Sequence, residues 1–253
     1  MRPATERDDL LRHLAGRGIE IGALDSPVPV PPGAAVRYVD VLTRAECLRH
    51  YPELPDPAAV VEPDIVASAD DLGVFPDRSE DFLIACHLLE HMPDPIGTLK
   101  GWHRVLRPGG LVFLVVPDKR RTFDRPRPRT PLRHLVADHR EPPGTPARDR
   151  RDFAAYREWV RLSKALRTEA QIDFWAELLQ RARYSIHFHC WIPEDVRELI
   201  EHLARAEATP FKIVREGRFR DGWEFAFLLR REEAPAAPPA AGRPEAAPQG
   251  GAA

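Results

Sequence analysis

Gly18-Ile19-Glu20-Ile21-Gly22-Ala23-Leu24-Asp25-Ser26-Pro27, followed by Val36-Arg37-Tyr38-Val39-Asp40, is the stretch on which the reading of this chain turns. The first part is a short apolar strand that stops at a glycine. The second is a strand that stops at a carboxylate. Parallel strands ending in this way build nucleotide sites: the glycine lets backbone approach the ligand, and an acid about 20 residues on accepts hydrogen bonds from ribose hydroxyls. Gly22 and Asp40 have that spacing.

Pro27, Pro29, Pro31 and Pro32 lie directly after the first strand, where no regular helix tolerates them, so the usual crossover helix is expected to be missing or short. Upstream, Leu10, Leu11 and Leu14 stand at helical spacing among charges and predict a short amphipathic helix over a sheet edge. Downstream, Thr43 and Glu46 form a T-x-x-E capping box that opens a helix ended by Pro52. Short strands follow at Asp64–Val66 and at Asp81-Phe82-Leu83-Ile84-Ala85-Cys86, the latter an unbroken apolar run of the kind buried inside parallel sheets. From Pro95, Ile96, Leu99, Trp102 and Leu106 make a helical stripe, with Pro108-Gly109-Gly110 as its expected stop, and Leu111–Val116 is a further buried strand closed by Pro117-Asp118. Strand, helix and strand in this order imply right-handed crossovers on a doubly wound sheet.

Residues 119–150, rich in Arg and Pro, read as an irregular excursion, and 151–183 as mostly helical, with Tyr156, Trp159, Phe174 and Trp175 forming a small core of its own. Together they make a covering insertion over 119–190. A helix from Pro193, with Val196, Leu199, Ile200 and Leu203 on one face, leads into two strands, Phe211–Val214 and Glu224–Leu229, that form an antiparallel hairpin. The expected fold is α/β and Rossmann-like: a doubly wound, mostly parallel seven-stranded sheet with an antiparallel last strand and a mainly helical insertion after strand 5. One domain should occupy 1–232. The Ala- and Pro-rich remainder, 233–253, is too poor in apolar side chains to offset its ordering entropy and is expected to be disordered.

The 253 residues carry a formal charge of -2 and 43% hydrophobic content, which gives no global attraction to nucleic acid or membrane. Cys47, Cys86 and Cys190 are odd in number and widely spaced, which excludes a disulfide framework and fits a reducing cytoplasm. Neither a bilayer-length apolar run nor a signal-peptide core is present, so a soluble cytoplasmic protein is expected.

Ile19-Glu20-Ile21-Gly22, Asp40, Asp81-Phe82 through Leu89-Glu90-His91, and Arg104-Val105-Leu106-Arg107-Pro108-Gly109-Gly110 together resemble the class I S-adenosylmethionine-dependent methyltransferases, above all the type 11 methyltransferase domain. The L-E-H and R-V-L-R-P-G-G segments in register are the most specific part. Pro117–Arg125, with His187-Phe188-His189-Cys190-Trp191, is similar to a bacterial subgroup of these methyltransferases. The resemblance implies S-adenosylmethionine as cofactor, with Glu20 and Gly22 beside its methionine part, Asp40 on its ribose, Ser68, Ala69 and Asp70 near adenine, and Ala85, Cys86 and His87 below the methyl group. Two departures stand out: Leu24 replaces a frequent second glycine, and Ser68 replaces the acid that many members use near adenine.

Methyl transfer from a sulfonium asks the protein mainly for in-line positioning and exclusion of water, plus a base where the acceptor must lose a proton. His87 and Asp118, at the C-terminal ends of neighbouring central strands, are the candidate catalytic groups; a loop-bonding histidine and a turn aspartate are the bland alternatives. His187 and His189 would project to one face of an extended segment as substrate contacts. With no C-x-x-C or H-x-x-x-H set beside them, no metal site is expected. Arg120 and Arg121, in a basic run from Lys119 to Arg129, suit an anionic acceptor such as a phosphorylated sugar, and a solvated loop explains the same charges. The expected partner is thus a small molecule methylated at oxygen, with neither nucleic acid nor membrane involved. The rival readings are a non-catalytic binding module that keeps the fold, and a dinucleotide-binding oxidoreductase, which lacks its G-x-G-x-x-G here.

Overall fold

The computed structural model describes residues 6–52, 54, 56–163, 166, 168–219 and 222–234. The tail expected to be disordered lies, from residue 235, outside the described residues.

In chain order the elements are α1 (Glu6–Leu11), β1 (Arg17–Ile21), β2 (Ala35–Asp40), α2 (Arg44–His50), β3 (Ile65–Val66), β4 (Glu80–Cys86), α3 (Pro95–Val105), β5 (Leu106–Pro117), α4 (Leu132–Arg140), α5 (Pro146–Ser163), α6 (Glu169–Arg181), α7 (Pro193–Ala206), β6 (Phe211–Phe219) and β7 (Glu224–Arg231). The seven strands form one sheet in the order β3-β2-β1-β4-β5-β7-β6. β1 to β5 run parallel to one another, and β7 runs antiparallel to both β5 and β6. The order reverses beside β1, so the crevice outside the ends of β1 and β4 is the switch point where ligands of such sheets bind.

Side chains alternate across the central strands and build two unequal layers. Leu83, Ala85, Val112, Leu114, Phe225 and Phe227 face a large core covered by α3 and α7. Phe82, Ile84, Phe113, Val115 and Leu228 face a smaller core closed by Leu10, Leu11 and Leu14 and by Val28 of the proline-rich loop. Gly18 is needed here, because a Cβ on it would stand 2.4 Å from the Phe82 ring. Between β1 and β2 the described chain has no helix, and buried Val28 supplies the cover that a crossover helix would otherwise give.

Three local expectations need correction. Helix α3 ends at Val105, before Pro108-Gly109-Gly110, which lies within β5, where register jumps from Glu80↔Leu106 to Phe82↔Leu111. Residues 119–150 are not irregular: α4 and the start of α5 lie there. Proline concealed them, since Pro131 caps α4 and Pro146 opens α5, positions that need no N–H from it. Phe174 is 64% exposed and no part of the small core that Tyr156, Trp159, Ile186 and Phe188 build between α5, α6 and the following segment.

The Thr43 capping box is formed as expected, with Glu46 Oε2 accepting from Thr43 N at 2.9 Å. Trp102, fully buried on α3, donates its Nε1 to the carbonyl of Ala69 at 3.0 Å and so ties the loop after β3 to the main core. Trp102→Phe keeps most of the volume but leaves that carbonyl unsatisfied. Urea denaturation should show a loss of about 1–3 kcal/mol with unchanged slope.

Candidate active site

The C-terminal ends of β1, β2, β4 and β5 define the site, and the backbone there is unusual. Gly22 has φ +72°, Leu24 +48° and His87 +51°. Leu24 thus adopts the left-handed conformation that a glycine would take without strain, so the turn is kept although the glycine is absent. Gly22 N donates to the carbonyl of Val39 at 2.9 Å, and Val61 N donates to that of Leu24 at 2.9 Å, fixing both sides of the turn. A hollow beside the end of β2 is lined by Leu24, Tyr38, Asp40, Cys47, Val60 and Pro63.

Glu20 projects from β1 into the smaller core. Both its oxygens accept from Val28 N, at 3.0 and 3.1 Å, so this carboxylate pins the proline-rich loop onto the sheet. Burial outweighs that bond and a nearby Arg7 and pushes the carboxyl up to about 7. Asp40 Oδ1 accepts from Leu42 N at 3.0 Å, and burial raises this carboxyl as well. Ser68 Oγ donates to Asp70 Oδ1, and Ala85 is sealed inside the large core.

His87 is held in an ion pair. Its Nε2 is 2.6 Å from Glu224 Oε2 at the start of β7, and its Nδ1 is 3.7 Å from Glu90 Oε1. Burial works against the charged form, but the two glutamates outweigh it and raise the imidazole to about 9. It therefore stands as an imidazolium at neutral pH, a poor proton acceptor. Asp118 is also engaged: its carboxylate caps the turn Lys119–Arg121 at Arg120 N and pairs with the Arg120 guanidinium. Burial would raise this carboxyl, and Arg120 holds it below the usual range.

The basic run is largely spent in ion pairs. Arg120 pairs with Asp118, Arg127 with Asp124 and Glu158, and Arg129 with Asp195. Arg121 is exposed. His187 and His189, expected on one face, belong to different groups. The segment carrying them pairs in no ladder among the described residues, so no pleat holds the two side chains together.

His187 meets Glu90 and His91, groups that sequence reasoning left out of the site. Ligand-type atoms of the three residues lie within 4.8 Å of one another. Glu90 is 1% exposed, and neither of its oxygens has a hydrogen-bond partner among the described residues. Burial favours its neutral form, but His87, His91 and His187 outweigh this and hold the carboxyl below its usual range. His187 Nδ1 is 2.6 Å from Asp124 Oδ2, and His91 Nδ1 is 2.9 Å from Ser185 Oγ. Burial, with Glu90 opposing and His187 assisting, lowers His91. Phe123, 58% exposed, sets its ring 4.9 Å from that of His187.

His189 is buried against Trp191, ring centroids 5.3 Å apart, and burial pulls it to about 3. It sits with His134 and Asp138. Asp138 there already accepts from Arg151 Nε at 2.7 Å, and its carbonyl accepts from buried Arg148, which makes this second group a neutral polar core.

Residues 55–114, from the segment before β3 to the middle of β5, match the family model for the methyltransferase domain. The chain carries a methyltransferase domain. It is a class I methyltransferase fold, and S-adenosylmethionine is its cofactor. No curated protein matches the chain. Among solved structures it is similar to a Methanosarcina mazei S-adenosylmethionine-dependent methyltransferase (14% identity, 92% of this chain and 99% of that one, TM-score 0.46). A Thermotoga maritima methyltransferase described as a possible histamine N-methyltransferase gives 16%, 86%, 82% and 0.44. A Rhodobacter sphaeroides protein described as a candidate zinc-dependent alcohol dehydrogenase gives 15%, 90%, 90% and 0.52. At that identity the last shares a fold, which does not extend to its reaction.

The residues at the switch point fit the methyltransferase cofactor. The turn at Gly22 and Leu24 lets backbone come close, a Cβ on Gly22 would meet only Leu88 at 3.7 Å, and Asp40 is held at the end of β2 by Leu42 N.

The raised Glu20 carboxyl gives a stability signature. Its folded value lies above the ordinary 4.5, so the stability it contributes is complete below about that pH and is lost as pH rises through about 7. Glu20→Gln keeps an acceptor for Val28 N and removes the titration. Melting temperatures measured from about pH 5 to about pH 8 should move in favour of the variant as pH rises.

Proposed function

We propose that this methyltransferase methylates an oxygen of a small acceptor bound against the Glu90–His91–His187 group. The observation that carries the reading is that group itself: a buried, unsatisfied carboxylate and two imidazoles at the end of β4, beside the crevice outside β1. An apolar acceptor would gain nothing from such surroundings. A hydroxyl gains hydrogen-bond partners and, in the carboxylate or an imidazole, a base to take the proton it loses as the methyl is transferred.

In this reading Gly22 and Asp40 hold the amino-acid side and the ribose of the cofactor and Ser68 and Asp70 border adenine, while Ala85, sealed in the large core, supports the strand end without touching the ligand. The cofactor supplies a methyl group already activated on sulfur. Glu20 acts one step back, by anchoring the loop that follows Gly22. The imidazolium of His87 braces the ends of β4 and β7 and fixes the charge next to Glu90, rather than accepting a proton. Exposed Phe123 beside His187 offers a ring face to the acceptor. Arg121, exposed two residues before Phe123, is a candidate contact for an anionic acceptor, whereas Arg120 is committed to Asp118. Cytoplasmic location belongs to the same proposal; among the described residues no helix is long and apolar enough to cross a membrane.

Calorimetric titration with S-adenosylhomocysteine tests the cofactor side. Asp40→Ala should weaken binding by about 1–3 kcal/mol, the cost of one or two ribose hydrogen bonds. Unchanged affinity would remove Asp40 from the site, and no binding to the wild-type protein would favour a non-catalytic module. For the acceptor side, cell extract incubated with the protein and isotopically labelled cofactor should yield a labelled small molecule by mass spectrometry. Phe123→Ala should lower the rate of labelling with little effect on S-adenosylhomocysteine affinity.

A further inference from the structure

Glu90 is fully enclosed yet makes no hydrogen bond among the described residues. A buried ionised carboxylate left in that state costs several kcal/mol unless a positive charge sits next to it. His87 supplies one at 3.7 Å, beyond hydrogen-bond reach, and its other nitrogen is bonded to Glu224. That leaves both oxygens of a buried carboxylate free of hydrogen bonds in a space shared with two imidazoles.

Each imidazole is oriented by a bond to its Nδ1, from Asp124 for His187 and from Ser185 for His91. Nε2 of His187 is therefore the nitrogen left for a ligand, and His91, which also meets the Ile186 backbone, lies beside it. A carboxylate fixing one ring nitrogen while the other meets a cation is the usual support of a metal-bound histidine. Asp124 is itself held by Arg127 at 2.9 Å, so the support is rigid.

We propose that Glu90, His91 and His187 bind a divalent transition-metal ion of the zinc class, with the remaining coordination positions open toward the acceptor. Two nitrogens and one carboxylate oxygen select such an ion over magnesium or calcium, which prefer all-oxygen sites. The ligand atoms, within 4.8 Å of one another, need to close by about an ångström to meet bonds of roughly 2.0–2.2 Å. The inference rests on the reading of this group as the acceptor's subsite: an ion here would take the acceptor oxygen as a further ligand. The group formed by His134, Asp138 and His189 is unlike it, because Arg151 already neutralises Asp138. The sequence hides the site because its ligands come from Leu89-Glu90-His91 and a histidine far along the chain, with none of the short spacings that mark metal motifs.

The test uses the full chain, stripped with a chelator, dialysed, and titrated with zinc chloride and separately with cobalt chloride. One equivalent of each should bind, and cobalt should give visible absorption bands of a low-symmetry site. His187→Asn should abolish the bands, and Asp124→Asn, which leaves all three ligands in place, should weaken binding about 10–100-fold. His134→Asn should keep one equivalent. Circular dichroism identifies any variant that has not folded, and Glu90→Gln serves as the second ligand variant. Absence of binding at about tenfold metal excess overturns the site, as does an equivalent that survives both His187→Asn and Glu90→Gln or vanishes in His134→Asn. S-adenosylhomocysteine titrated into the same preparation separates the two readings: cofactor binding without metal binding overturns the ion alone, whereas metal binding without cofactor binding supports the ion and removes the methyl-transfer reading.

Discussion

A single buried carboxylate organises the functional end of this protein. Glu90 sits where the chain leaves β4, has no hydrogen-bond donor among the described residues, and has to keep its charge in a medium that penalises it. Everything around it answers that constraint. His87 turns through a left-handed conformation to bring an imidazolium near, and Glu224 at the edge of β7 holds that imidazolium in turn. His91 and His187 close the remaining sides. The insertion is bound into the same arrangement, because His187 leans on Asp124, Asp124 on Arg127, and Arg127 on Glu158 of α5.

A second constraint acts on the opposite face of the sheet. A doubly wound sheet buries both faces, and the usual means is a long helix after the first strand. Four prolines forbid that helix here. The loop buries Val28 instead and is fastened by Glu20, so one carboxylate replaces part of the work of several helical turns. The cost is a partly protonated acid close to the cofactor crevice.

The sheet was legible because its strands are short apolar runs bounded by glycine, proline or acid, and that pattern has few readings. The capping box at Thr43 and the stripe on α3 were legible for the same local reason. What was hidden depended on contacts across the chain. Arg120, Arg127 and Arg129 look alike in a basic run, and nothing local says that each meets its own carboxylate. His187 and His189 share a motif but not a neighbourhood, because an unpaired extended segment imposes no pleat. Glu90 and His91 were read as part of a family signature and not as chemistry, since their partners lie in the insertion. Leu24 was read as a loss, whereas its backbone takes the glycine's conformation.

The series Glu158, Arg127, Asp124, His187 runs from the outer helix of the insertion to the floor of the crevice, with charge signs alternating through its first three members. Arg127 is enclosed, so pulling α5 away would take Glu158 from a buried guanidinium and open the Asp124 pair beneath it to water. Such a cover does not fray residue by residue; it is either seated or released as a unit. The orientation of the imidazole at the floor is therefore tied to the cover's position, so the insertion serves as the latch of the site as well as its roof.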